Sequence, residues 1–181
     1  MLKISLRSLV RNWWLVLIWL GVIRLESTDM ASADNTTSIL YKVIAAVSPQ
    51  VEPSFVEQLD HVLRKTGHFL GYGILGGLVF LALRNSNRER ITTLVRRPWG
   101  LYLRDLWRAE WMFIAMLFTV VTASFDEIHQ SFIPSRTSRW QDVVLDSCGA
   151  AIVQCAIYLL SQRMAKRRQA TVPQTELTSS R

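Results

Sequence analysis

Apolar residues come in blocks along this chain, and the charges collect between the blocks. Four blocks stand out. They are Trp13–Ile23, extended backward by Leu6, Leu9 and Val10, then Thr66–Leu83, Glu110–Phe125 and Val143–Leu160. Each lies near the lower end of the roughly 17–25 residues that span a bilayer, and the first and third are the shortest. Amphipathic residues at the ends lengthen them, and Trp13, Trp14, Trp107 and Trp111 suit the membrane interface. The pattern predicts transmembrane helices over about 8–25, 66–83, 108–126 and 143–161. The expected fold is all-α: a polytopic four-helix transmembrane bundle in one membrane domain, 1–165. A polar tail, 166–181, is expected to be disordered.

Composition supports the membrane expectation. The chain has 181 residues, half of them hydrophobic, with seven Trp and a mean hydropathy of +0.18. The first block has a second reading. Lys3, Arg7 and Arg11 before an apolar core, with Ala31-Ser32-Ala33 after it, resemble a secretory signal. The alanines lie well past the apolar core and the block is rich in Trp, so a retained helix is expected.

The net charge is +7 and the pI is near 10. A basic chain invites a nucleic-acid reading. Here Lys and Arg sit at the ends of apolar segments, as topology determinants do, and no nucleic-acid partner is expected. Fifteen of the 21 Lys and Arg fall in the N-terminus, loop 84–109 and the tail; six fall in loop 24–65 and hairpin 126–142. Positive segments stay in the cytoplasm, which places both termini inside and the hairpin outside.

The polar residues inside the blocks carry the candidate chemistry. Lys65, His68 and Tyr72 are spaced i, i+3, i+7 and share one helix face. Lys65 alone would be a snorkelling lysine and Tyr72 a packing residue. His68 is an ionisable group at membrane depth, which is a functional candidate by default. Gly67 with Gly71, and Gly73 with Gly77, form GxxxG patterns that predict close helix packing.

Downstream, Asp126, Glu127, His129 and Gln130 end the third block. Asp126 shares a face with Gln130 and with His129. A carboxylate and a His at that spacing can hold a metal in a helical bundle, but the ligands here are too few, and no metal or cofactor is expected. The plainer alternative is a solvated helix end. Pro134 marks a turn. Arg136 follows it, a planar cation suited to phosphate or to an ion pair with Asp126 or Asp142. Asp142, Asp146 and Gly149 lie on one face of the fourth helix, with Asp146 inside the apolar block. A carboxylate there costs a few kcal/mol and needs a partner, for which Arg136, His68 and Lys65 are the candidates. Cys148 and Cys155 are about 10.5 Å apart on a helix, too far for a disulfide, and read as small packing residues.

In order, Lys65-Thr-Gly-His68-Phe69-Leu-Gly-Tyr72, Asp126-Glu127-Ile-His129-Gln130 with Pro134 and Arg136, and Asp142-x-x-x-Asp146-x-x-Gly149 resemble the signature of the VanZ-like family. The resemblance covers about 55–160, most of the chain. It implies a small helical protein of the bacterial plasma (inner) membrane, and its namesake confers teicoplanin resistance. It carries a signature and no established reaction. The long basic loop 84–109 and the long first outer loop are this chain's departures from the family pattern.

Three functions remain open at this level. The first is recognition or modification of an anionic lipid-linked group at the outer membrane face. Its ligand-binding set is Lys65, His68, Tyr72, Asp126, Glu127, Gln130, Arg136, Asp142 and Asp146. His68, Asp126, Glu127 and Asp146 are its candidates for acid–base work. The partner would be a membrane lipid or lipid-linked cell-envelope intermediate. The second is a proton-coupled transport component, and the third a structural subunit whose polar groups join helices; either implies a homo-oligomer or another membrane protein. No nucleophile elbow, phosphate loop or zinc motif is present.

Overall fold

The helix that dominates the fold starts earlier than its apolar block. Pro53 sets φ for a first helical turn, where a missing N–H costs nothing, and α3 runs unbroken over Pro53–Ser86. In all, a computed structural model describes residues 6–28, 33–86, 100–134, 136 and 138–170. Those residues form five α-helices and no strand: α1 Leu6–Glu26, α2 Ala33–Val47, α3, α4 Gly100–Gln130 and α5 Trp140–Ala170. The fold is all-helical, as expected.

Among the described residues, three helices are long and apolar enough to cross a membrane: Pro53–Ser86, Ala109–Gln130 and Trp140–Arg163. They correspond to the second, third and fourth apolar blocks. Three segments read as loop are helical, one of them the start of α4 at 100–107 within the expected loop 84–109. Within 24–65, α2 carries Ile39, Leu40, Val43, Ile44 and Val47 at amphipathic spacing; it is too short to span, which hid it from a search for spans. The first turns of α3 were hidden by their polarity. At the other end α5 continues through Ala170, past the expected start of the tail. The basic stretch 87–99, the residues Ala31 and Ser32, and the tail 171–181 lie outside the described residues.

At the centre, α3 packs most extensively on α5, and α4 lies against both. Small residues allow it. A Cβ on Gly149 would collide with the Phe69 carbonyl; one on Gly73 would sit 3.2 Å from the Gly149 carbonyl oxygen. Gly76 and Gly77 face Ala150 and Val153 in the same seam. Lipid tails are as apolar as Leu, so close approach of this kind is a main source of helix association in membranes. The GxxxG expectation holds for Gly73 and Gly77 and fails for Gly67 and Gly71, which have open space where a Cβ would be. Polar contacts join the same helices: Gln154 donates to the Gly76 carbonyl at 2.7 Å.

Along α3 lies α1, where it buries Val16 and Ile23 in a core with Tyr72, Leu75, Val79 and Phe80. Trp13 meets Phe118 edge to face at 6.5 Å, and Trp19 Nε1 donates to the Gly71 carbonyl at 2.8 Å. The outer faces are apolar and exposed, with Phe113, Leu117, Val121 and Phe125 on α4 and Ile152, Leu159 and Leu160 on α5. Cys148 and Cys155 are free thiols on that exposed surface.

Candidate functional site

Helices α4 and α5 run antiparallel, joined by a short turn. Arg136 N donates to the Ile133 carbonyl at 3.0 Å across Pro134, the residue whose fixed φ suits the second position of a turn. This turn brings the C-terminal end of α4 beside the N-terminal end of α5, and both meet the N-terminal half of α3. The polar residues of all three therefore collect at one end of the bundle, around a cavity of about 180 Å³.

From α3, His61, Arg64, Lys65 and His68 line the cavity, following one helix face over two turns. Glu127 and Gln130 come from α4, Arg136 from the turn, and Asp142, Leu145 and Asp146 from α5. Seven of the nine sequence-predicted ligand residues thus line one space. The other two lie next to it. Tyr72 is fully buried and its ring stacks on His68, centroids 6.2 Å apart. Asp126 accepts from Gln130 Nε2 at 3.0 Å, the i, i+4 contact the spacing predicts.

Each charge has a defined setting. Asp146, 1 % exposed, has Oδ2 3.7 Å from His68 Nδ1, so of the three candidate partners His68 is the one beside it. Lys65 Nζ pairs with Asp142 Oδ1. Glu127 Oε2 accepts the Arg139 backbone N–H at 2.9 Å, which fixes the carboxylate against the start of α5. Arg136 donates through Nη2 to the main-chain carbonyls of Glu26 and, at 3.0 Å, Thr28. The Glu26 carbonyl is an orphan at the end of α1 and Thr28 lies just beyond it, a natural target for a cation. The guanidinium therefore ties the first helix to the cavity wall, a role not foreseen when its partner was sought among the carboxylates. His129 is apart from the cavity lining, its Nδ1 buried without a hydrogen-bond partner.

Three residues were missed by sequence reasoning: His61, Arg64 and, behind them, Asp60. Arg64 Nε lies 3.0 Å from Asp60 Oδ2, one turn earlier. The signal was there, because His61, Arg64, Lys65 and His68 are spaced i, i+3, i+4, i+7.

Two further spaces are present, of which the second shares lining residues with the cavity. An apolar crevice of about 190 Å³ opens between α1 and α4, lined by Leu20, Ile23 and Phe125 and reaching Asp126. A larger cleft of about 720 Å³ lies between α2 and the first turns of α3; His61 and Arg64 form its wall with the cavity. Among the described residues, no three His, Cys, Asp or Glu side chains are placed to hold a metal ion.

The family model described as VanZ/LLP1 matches residues 12–161, a span that contains every residue of the cavity. No curated protein and no solved structure matches the chain.

Proposed function

The chain belongs to the VanZ/LLP1 family, and from that premise we propose that it is a multi-pass membrane protein of the bacterial cell envelope that binds the phosphate-bearing head group of a lipid or lipid-linked intermediate. In this reading α1 is a fourth span, both termini are cytoplasmic, and the cavity lies at the outer face of the inner membrane. The observation that carries it is the convergence of Arg64, Lys65, His68 and Arg136 on one small cavity at the end of the spans. Charge-assisted hydrogen bonds from such groups are the strong ones, and phosphate oxygens, like carboxylates, are their acceptors.

The carboxylates have a task in this scheme. Asp142 holds Lys65 and Asp146 holds His68. His68 is the group able to exchange a proton with a bound phosphate oxygen, with Asp146 orienting the ring. In this reading the crevice between α1 and α4 receives the lipid's apolar chain.

A structural role has an observation of its own in its favour: Lys65–Asp142 and His68–Asp146 each join α3 to α5. Such contacts in membranes contribute about 0.6–2 kcal/mol each. One experiment separates the two. His68→Gln, Arg136→Gln and Asp146→Asn are compared with the parent chain for membrane abundance, for binding of an isoprenyl monophosphate, and for teicoplanin susceptibility as the provisional phenotype. Normal abundance with lost binding supports the head-group site. Abundance that falls in step with binding supports the structural role.

A further inference from the structure

The cleft between α2 and α3 is four times the volume of the cavity it adjoins, about 720 Å³ against about 180 Å³. Ligand pockets commonly run to roughly 300–1,000 Å³. The inner cavity thus suits a compact anion, and the cleft suits a larger group attached to it. His61 and Arg64 line both spaces, so the two lie side by side with these side chains between them.

The position of the cleft along the bundle matters as much as its size. At about 1.5 Å per residue, the 34 residues of α3 extend about 51 Å, against roughly 30 Å of hydrocarbon. The apolar part of α3 is 66–83, so its first turns project beyond the bilayer core on the side where the cavity lies. The cleft is built on those first turns. A ligand with its apolar chain in the bilayer and its phosphate in the cavity would place its outermost part in the cleft.

The lining states what that part is. The Tyr41 ring is partly exposed on α2, beside the hydroxyls of Thr37 and Ser38. An aromatic face, short hydroxyls and carboxylates suit a polyhydroxylated ligand, whose C–H faces stack and whose O–H groups donate and accept. Lys42 and Arg64 stand beside Glu57 and Asp60, and Arg64 Nε is 3.0 Å from Asp60 Oδ2, so the cleft offers donors and acceptors together. We propose that the α2–α3 cleft is a carbohydrate subsite, which holds the sugar of a glycosylated lipid phosphate while the inner cavity holds its phosphate. The subsite rests on the head-group function proposed above and names its ligand class.

The test uses the full chain in lipid nanodiscs with three probes: an isoprenyl monophosphate, the same lipid as a diphosphate, and the monophosphate carrying one hexose. The hexosyl lipid is expected to bind about tenfold more tightly than the bare monophosphate, as one or two net hydrogen bonds and a stacked ring would give. Tyr41→Ala and Ser38→Ala should each remove much of that gain and leave binding of the bare monophosphate unchanged, which also reports that the variants are folded. Tyr41→Phe should keep it. Equal binding of the bare and hexosyl lipids overturns the subsite and leaves the phosphate site standing. A gain seen with the diphosphate in place of the hexose, or one that survives both alanine variants, overturns it too. If the parent chain binds none of the three, the head-group function itself falls and the subsite falls with it.

Discussion

His68 Nδ1 lies 3.7 Å from Asp146 Oδ2, and this contact joins α3 to α5 at a point where Asp146 is 1 % exposed. A buried polar group left without its partner costs about 1–3 kcal/mol, whereas replacing both partners by apolar groups can be nearly neutral. Asp146→Ala should therefore reduce membrane abundance and thermal stability by about that amount. The double variant His68→Leu with Asp146→Leu should recover abundance and still fail to bind an isoprenyl phosphate. Recovery of both would mean the pair is only a helix contact.

Lys65 and Asp142 form a more open pair, with side chains 37 % and 22 % exposed. Ion pairs in such settings contribute roughly 0–1 kcal/mol. Lys65→Gln is accordingly expected to shift the melting temperature by only a few degrees while it weakens phosphate binding. Reversing the charges, Lys65→Asp with Asp142→Lys, restores the pair but moves the ammonium to the other wall of the cavity. Binding that returns in the reversed pair would show that Lys65 matters only through Asp142.

How much of this was legible in the sequence depends on which period each segment follows. The three helices of span length were visible because their apolar blocks are nearly continuous, and Asp146 was visible because a carboxylate inside such a block is costly. The grouping of Lys65, His68, Glu127, Gln130, Arg136, Asp142 and Asp146 around one cavity follows from the end of α4, the start of α5 and the N-terminal half of α3 sharing one side of the bundle. Less visible were α2 and the first turns of α3, because both are helical yet too short or too polar to register as spans. Arg64 and His61 went unnoticed for the same reason. The partners of Arg136 were out of reach altogether: they are main-chain carbonyls of Glu26 and Thr28, which depend on how α1 is placed. Nor does a GxxxG spacing say which of its glycines faces a neighbour.

That last point gives a matched pair of substitutions. At Gly149 a methyl would run into the Phe69 carbonyl of α3, so Gly149→Ala must push apart the helices that hold His68 and Asp146. Loss of both abundance and ligand binding is expected. At Gly67 nothing lies within 4 Å of a would-be Cβ. Gly67→Ala should instead leave folding intact or stabilise α3 by roughly 0.5–1 kcal/mol, through the lower entropy of its unfolded chain. Thermal denaturation of both variants in the same detergent compares them directly.

Arg136 offers a test of what the first helix contributes. Its Nη2 reaches the carbonyls of Glu26 and Thr28, a two-acceptor contact that a lysine's single ammonium reproduces poorly. Arg136→Lys keeps the cavity's charge and should loosen the end of α1. Faster amide hydrogen exchange over 23–28 is the expected signature, with exchange in α3 unchanged. Unaltered exchange at the end of α1 would leave Arg136 as a cavity cation and nothing more.

The placement of α1 across the bilayer can be decided by labelling. With α3, α4 and α5 as spans, the turn after α4 and the chain end after α5 must lie on opposite sides of the membrane. The N-terminus is the free choice: it joins the tail's side if α1 also crosses, and the turn's side if it does not. The distribution of Lys and Arg favours a crossing, since Lys3, Arg7 and Arg11 precede α1's apolar stretch and the tail is basic as well. In a background with Cys148 and Cys155 replaced by Ala, single cysteines at Ser5, Ser131 and Ser179 are probed in intact cells with a maleimide that does not cross membranes. Labelling at position 131 alone, with 5 and 179 reacting only after lysis, fits four spans and a cavity that faces outward. Labelling at both 5 and 131 leaves three spans, with α1 lying against α3 without crossing. Labelling at 179 but not 131 inverts the bundle, and the ligand would then have to be sought on the cytoplasmic side.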